Sequence, residues 1–175
     1  MNIRPTTPAD IPAITAIYAH AVRTGTATFE LEPPDEAEML RRYDKLRAGG
    51  FPYIVAEIDG QVVGYAYAGP FRERAAYRFT VEDSIYISPD RQKLGVGKAL
   101  MAELIRLSTE AGFRQMLAVI GDSAQAGSIA LHKACGFEHA GVFKSVGYKF
   151  GRWLDTVQMQ LPLGKGDSAP ASASR

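Results

Sequence analysis

The spacing of hydrophobic and polar positions changes several times along the chain, and each change marks an element. Ile11, Ile14, Ile17, Tyr18 and Ala21 recur at helical spacing and give one apolar face. Thr7-Pro8-Ala9-Asp10 signals the start of that helix: Thr7 caps, Pro8 suits the first helical position and Asp10 complements the positive end of the dipole. A second helix is predicted over about 35–48, with Met39, Leu40, Tyr43 and Leu46 inward and Gly49-Gly50 ending it. The period then shortens. Residues 53–58 read as a strand, Asp59-Gly60 as a hairpin turn and 61–68 as the returning strand. The polar and aromatic stretch 70–78 reads as an irregular connection, and 80–88 as a further strand broken by Pro89-Asp90.

From 97 to 111 the pattern is helical again, with Leu100, Leu104 and Leu107 in one stripe and Gly112 as the stop. The apolar run 115–120 is bounded by turn residues and predicts a buried strand. A short helix over about 127–135, an extended region opening at Gly136-Phe137 and a last strand over 153–161 complete the domain, which spans 1–163. The tail 164–175 is Gly, Ser, Ala and Pro with little to bury, and is expected to be disordered. This order predicts an α+β (mixed α/β) domain: one parallel crossover inside an otherwise antiparallel sheet, with helices on both faces.

Composition narrows the function classes. A chain of 175 residues with 46% hydrophobic and 22% charged residues suits one soluble domain with a real core. Twenty basic and 19 acidic side chains leave a formal charge of +1, which argues against a nucleic-acid binder relying on a broad basic surface. The single cysteine, Cys135, excludes an intrachain disulfide and reads as a small buried hydrophobe. No run is long enough to span a membrane, and residues 1–12 carry Arg4 and Asp10 in place of a signal-peptide core, so the expected location is cytoplasmic.

The chemistry concentrates between the strand ending at Ser88 and the helix opening near Gly97, in Gln92-Lys93-Leu94-Gly95-Val96-Gly97. Glycines at a helix mouth allow close backbone approach, and the unpaired N–H groups there favour a phosphate anion. Arg91, Lys93 and Lys98 add positive charge at the same end. Two glycines alone would be read as a turn, and the segment is neither a Walker loop nor a full Gly-x-Gly-x-x-Gly fingerprint.

The run Gln-x-x-Gly-x-Gly after a strand resembles the acetyl-CoA signature of the GCN5-related N-acetyltransferase (GNAT) superfamily. Gly69-Pro70-Phe71-Arg72, Thr80-Val81-Glu82, Ile85-Tyr86-Ile87, Leu131-His132, Gly136-Phe137 and the run from Gly147 to Trp153 are similar to the phosphinothricin and methionine sulfoximine acetyltransferases. That resemblance runs from Ile3 to Leu161. It implies a twisted mixed sheet whose parallel strands, 80–88 and 115–120, splay to hold acetyl-CoA as co-substrate, with no metal. Ile85, Tyr86 and Ile87 would meet pantetheine, and Lys93, Leu94, Gly95, Val96, Gly97 and Lys98 the pyrophosphate. Gln125 stands nearest to an Asn that relatives use against CoA. The resemblance further implies a small amino-acid-like acceptor, no nucleic-acid or membrane partner, and a homodimer.

Acetyl transfer needs a neutral amine, so a base must take the ammonium proton. Glu82 matches the family's proposed base; a plain surface carboxylate is the alternative. Asp83 is expected on the opposite strand face, unless a bulge there makes it the active carboxylate. His132 occupies the place of a Tyr that protonates the departing thiolate in many relatives, although a packed structural histidine is the commoner use. Backbone N–H groups of 85–87 are candidate oxyanion donors. The acceptor is assigned to Thr28-Phe29, to the loop Arg72-Glu73-Arg74 and to Glu82, Asp83 and Ser84, with Tyr77, Arg78 and Lys149 as secondary candidates, the last from a partner subunit. His20 and His139 are assigned structural roles. The expected reaction is acetylation of the α-amine of a phosphinothricin- or methionine-sulfoximine-like amino acid. Another amine, a peptide N-terminus or a non-catalytic acyl-CoA-binding regulator are the alternatives.

Overall fold

The computed structural model describes residues 1–171. Seven strands form one sheet in the order β1-β2-β3-β4-β5-β7-β6, every neighbouring pair antiparallel except β4 and β5. They are β1 (Asn2–Pro5), β2 (Tyr53–Ile58), β3 (Gln61–Pro70), β4 (Thr80–Ile87), β5 (Gln115–Gly121), β6 (Glu138–Lys149) and β7 (Arg152–Pro162). Helices α1 (Ile11–Thr24) and α2 (Glu36–Ala48) precede the first hairpin, α3 (Val96–Glu110) is the parallel crossover and α4 (Ala126–Ala134) follows β5. This is the mixed fold the patterning predicts. β1 is an addition to it: four residues containing Arg4 and Pro5 are too short to display alternation.

Capping fixes where the first two helices begin. Asp35 accepts a hydrogen bond from the Glu38 amide at 2.8 Å and caps α2. At α1 the expected start at Pro8 is a three-residue 3₁₀ turn, and the α-helix proper opens at Ile11. Asp10 accepts from the Thr7 amide at 2.8 Å while the Arg4 guanidinium grips both its oxygens at 2.8 Å. That fork, with Glu57 as a further acceptor, ties β1 to the start of α1 and holds the Asp10 carboxyl down at about 2.

Two cores flank the sheet. On one face Ile14, Tyr18 and Val22 of α1 and Met39 and Tyr43 of α2 cover Tyr53, Val55 and Tyr65. Stacked rings dominate there, Tyr53 with Tyr67 at 4.9 Å and Tyr65 with Tyr86 at 5.4 Å between centroids. On the other, Val96, Leu100, Met101 and Leu104 of α3 cover Ile54, Ala66, Val81 and Met116. β4 serves both: Val81, Ile85 and Ile87 join the α3 core and Tyr86 the α1 core, so its side chains alternate between faces. Residues 164–171, part of the tail expected to be disordered, continue in turns, and Arg114 donates to the carbonyls of Gly166 and Ala169 at 2.8 Å; residues 172–175 lie outside the described residues.

Candidate active site

The parallel pairing of β4 with β5 covers only Thr80↔Gln115, Val81↔Met116 and Glu82↔Leu117. Beyond Glu82, β4 stays registered with β3 through Ile87, and β5 with β7 through Gly121. The two strands therefore part, leaving a slot through the sheet whose β4 edge has backbone groups with no strand to receive them. A cavity of about 280 Å³ sits at the fork, lined by Phe29, Glu82, Asp83, Ser84 and His132 among others. A groove of about 670 Å³ continues along the slot to the mouth of α3, and the two spaces share Ala27, Ile85, Tyr86, Gln125 and Ser128.

The groove collects most of the residues that the glycine loop predicts. Ile85, Tyr86, Ile87, Lys93, Gly95, Val96, Gly97, Lys98 and Gln125 line it, joined by Arg91 and Gln92; Leu94 turns away, 58% exposed. Gly95 sits at φ +79°, a left-handed conformation that closes the loop and delivers the first N–H groups of α3 to the groove. A side chain at Gly97 would lie 3.0 Å from Ile87 Cδ1 and 3.1 Å from Leu131 Cδ2, so the first turn of α3 is held tight between β4 and α4. Three cationic residues at a helix mouth, open backbone donors and an apolar floor suit a polyphosphate with an apolar arm.

At the fork, alternation sends the Glu82 side chain to the face of Tyr86 and that of Asp83 to the face of Ile85, as expected. Both nevertheless line one cavity, because the slot passes through the sheet at that point. Burial, with the negative charge of Asp83 adding to it, pushes the Glu82 carboxyl up to about 7. Among the described residues no hydrogen bond draws it back down. Asp83 is 7% exposed, and its Oδ2 lies 3.0 Å from Nε2 of His132, itself 2% exposed. The other imidazole nitrogen, Nδ1, donates to the carbonyl of Ser128 at 2.7 Å. Burial alone would lower the His132 pKa, but Asp83 and the Ser128 carbonyl outweigh it and the net shift is upward.

A loop from the distant helical layer closes the cavity. Between α1 and α2 the chain lies against the far half of the sheet, and Phe29 packs across β5 and β6 at Gly121 and Gly147, where only glycine leaves room for its ring. A Cβ at Gly121 would lie 2.2 Å from the Thr26 carbonyl, and one at Gly147 would lie 2.3 Å from the Phe29 ring. Lys149, only 4% exposed, donates from Nζ to the carbonyls of Gly25 and Thr28 at 2.8 Å each. Gln125 Nε2 donates to Thr26 Oγ1 at 2.9 Å, and Thr26 Oγ1 to Asp122 at 3.2 Å. Two residues singled out from the sequence have partners within the chain. Lys149 holds the chain's own loop, and the Gln125 amide already has a partner at the edge of the groove.

The arginine loop lies apart from this cavity. Arg72, Glu73, Arg74, Tyr77 and Arg78 line a separate space of about 500 Å³ with Phe51 and Thr80, and none of them borders the fork. Arg72 rests on the rings of Phe71 and Tyr77, 5.1 and 5.7 Å from their centroids. His20 and His139 are both exposed, and His20 borders the groove beside Thr24. Sequence reasoning also passed over Ala27, Val119 and Thr156, which line the fork; small and uncharged, they carry no signal of their own. Cys135 is partly buried with its thiol pKa pushed up by desolvation, in keeping with a packing role. Among the described residues no cluster of His, Cys, Asp and Glu could hold a metal ion, and no helix is long and apolar enough to cross a membrane.

Comparison with known proteins agrees with this geometry. The family model for Acetyltransferase (GNAT) matches residues 14–137. A phosphinothricin N-acetyltransferase of Alcaligenes faecalis is 58% identical over 159 residues, covering 91% of this chain and 81% of the relative. An L-methionine sulfoximine/L-methionine sulfone acetyltransferase of Pseudomonas paraeruginosa is 41% identical over 97% of this chain and 98% of its own. The crystal structure of a phosphinothricin acetyltransferase from Sinorhizobium meliloti in complex with AcCoA superposes with a TM-score of 0.96 at 50% identity, covering 99% and 94% of the two chains. With a family match over most of its length, a split parallel strand pair and a glycine loop at the mouth of α3, the chain belongs to the acetyltransferase (GNAT) family.

Proposed function

We propose that this protein transfers acetyl from acetyl-CoA directly to the α-amine of a phosphinothricin- or methionine-sulfoximine-like amino acid. The observation that carries the reading is Glu82, a carboxyl raised to about 7 at the fork of the splayed strands. A base of that strength is half ionised at neutral pH and can still take a proton from an ammonium being deprotonated in its presence. The groove residues around Gly95 bind the pyrophosphate, and the unpaired β4 edge receives the pantetheine arm and presents the thioester at the fork. Glu82, directly or through a water, takes the amine proton as the N–C bond forms; N–H groups of 85–87 hold the oxyanion; the C–S bond then breaks and CoA leaves as thiol or thiolate. The names of the relatives support the acceptor class. An acceptor carboxylate or phosphinate would meet the Arg72–Arg74 loop if that loop turns toward the fork on binding.

In the same reading the protein acts in the cytoplasm as a homodimer, and its activity confers resistance to such analogues. Five large apolar side chains on β6, β7 and the turn between them (Phe143, Val146, Tyr148, Phe150 and Trp153) are 55–64% exposed, which supports self-association there. The test is a panel of amino-acid analogues, free amines and short peptides read by thiol release from acetyl-CoA. Phosphinothricin and methionine sulfoximine should be turned over in preference to polyamines and peptides. No thiol release above background with either would end the proposal.

A further inference from the structure

We propose that Asp83 and His132 are positioning residues that act as one buried carboxylate–imidazolium pair. They fix the charge beside Glu82, and His132 gives no proton to the departing thiolate. The geometry leaves little freedom in the assignment. A carbonyl only accepts, so the 2.7 Å contact to Ser128 places a proton on Nδ1. Nε2 then faces a carboxylate oxygen at 3.0 Å, which places a second proton between them. Both ring nitrogens are committed, the edge of Phe137 packs against the ring at 5.0 Å, and the residue is 2% exposed. Such a histidine has no free N–H to turn toward a sulfur.

The pair is lopsided in a useful way. Asp83 Oδ1 is buried with no hydrogen-bond partner among the described residues, so His132 alone compensates that carboxylate. The anionic end of the pair borders Glu82 on β4 while the cationic end is anchored in α4 by the Ser128 carbonyl. The strength of Glu82 as a base then depends on residues that do not touch the amine. Other titratable groups facing the pair or Glu82 are few: Tyr86 on the same face of β4, Tyr67 on β3, which feels the Glu82 charge, and Cys135 after α4, which feels both Asp83 and Lys98 at the start of α3. No titratable side chain of β5 or of the 27–29 loop lines the cavity.

This inference rests on the reading of Glu82 as the base, and its test separates the two. The acid limb of kcat/KM for phosphinothricin is followed from pH 5 to 9 at saturating acetyl-CoA. Asp83→Asn should move the limb down by about half a pH unit to one unit, because Glu82 loses its anionic neighbour. His132→Gln should move it up, because Asp83 loses its counter-charge. A limb that stays put in Asp83→Asn overturns the pair's role. A Glu82→Gln enzyme that keeps both rate and limb overturns the base reading instead. Should either pair variant fail to fold, nitrogen NMR of the parent protein decides. Both His132 ring nitrogens should remain protonated at pH 7.5, and a neutral ring at that pH refutes the proposal.

Discussion

The placement of Glu82 makes a prediction about stability that stands apart from turnover. In the unfolded chain this carboxyl ionises near 4.5, and in the folded protein at about 7. Between those values the folded state holds the proton that the unfolded state has released, so stability falls as pH rises and the full penalty is reached above pH 7. At roughly 1.4 kcal/mol per pH unit, the displacement from 4.5 to about 7 corresponds to roughly 3 kcal/mol. The side chain keeps some contact with water, and a replacement amide must itself be accommodated, so about 1–3 kcal/mol is the expected gain for Glu82→Gln at pH 8. The same substitution should confer little at pH 4.5, where the native carboxyl is already neutral in the fold. Urea unfolding of parent and variant at pH 4.5 and 8 measures the difference directly. A gain of equal size at both pH values, or a loss at pH 8, would refute the argument that burial of an uncompensated carboxylate sets its ionisation. Such an outcome would remove the physical basis for a base poised near neutrality.

Two further perturbations probe the supports of the site. Gly121→Ala places a methyl group 2.2 Å from the Thr26 carbonyl, so the 25–30 loop must move. A cost of about 1–3 kcal/mol and a raised KM for the amine, with KM for acetyl-CoA nearly unchanged, are expected in thermal melts and steady-state kinetics. Asp10→Asn removes the carboxylate gripped by Arg4, whose pKa lies at about 2 against an ordinary 3.8. That contribution is present above about pH 4 and lost as pH falls through 2, so the variant should be about 2 kcal/mol less stable at pH 7, with the deficit closing in acid.

The parts of the molecule legible from sequence are those where local chemistry punctuates the chain. Gly95 and Gly97 at the start of α3, Asp59-Gly60 in the hairpin and Gly112 after α3 mark boundaries that short-range sterics impose. The alternation of Glu82 and Asp83 was equally readable. The slot that unites them was expected from the family resemblance alone and is marked by no local pattern, since it arises where β5 follows β7 and β4 follows β3. Long-range pairs carried the rest of the surprise. Asp83 and His132 are 49 residues apart, and Lys149 reaches back 124 to Gly25, so no window of sequence contains either contact. The arginine loop is the converse case. Its composition suggests anion binding, yet it lines a cavity separate from the fork, with a 3₁₀ turn at 75–77 along it.

The chain has a single tryptophan, and Trp153 is 64% exposed at the start of β7, edge-on to Tyr148 at 5.1 Å. As an optical reporter it is therefore badly placed for the fold and well placed for company. An indole already in water changes its surroundings little when the domain unfolds, whereas a second molecule resting on β6 and β7 would dehydrate it and shift its emission to the blue. The wavelength of the native protein's fluorescence, followed on dilution, thus reads the neighbourhood of one sheet edge and is blind to the fork.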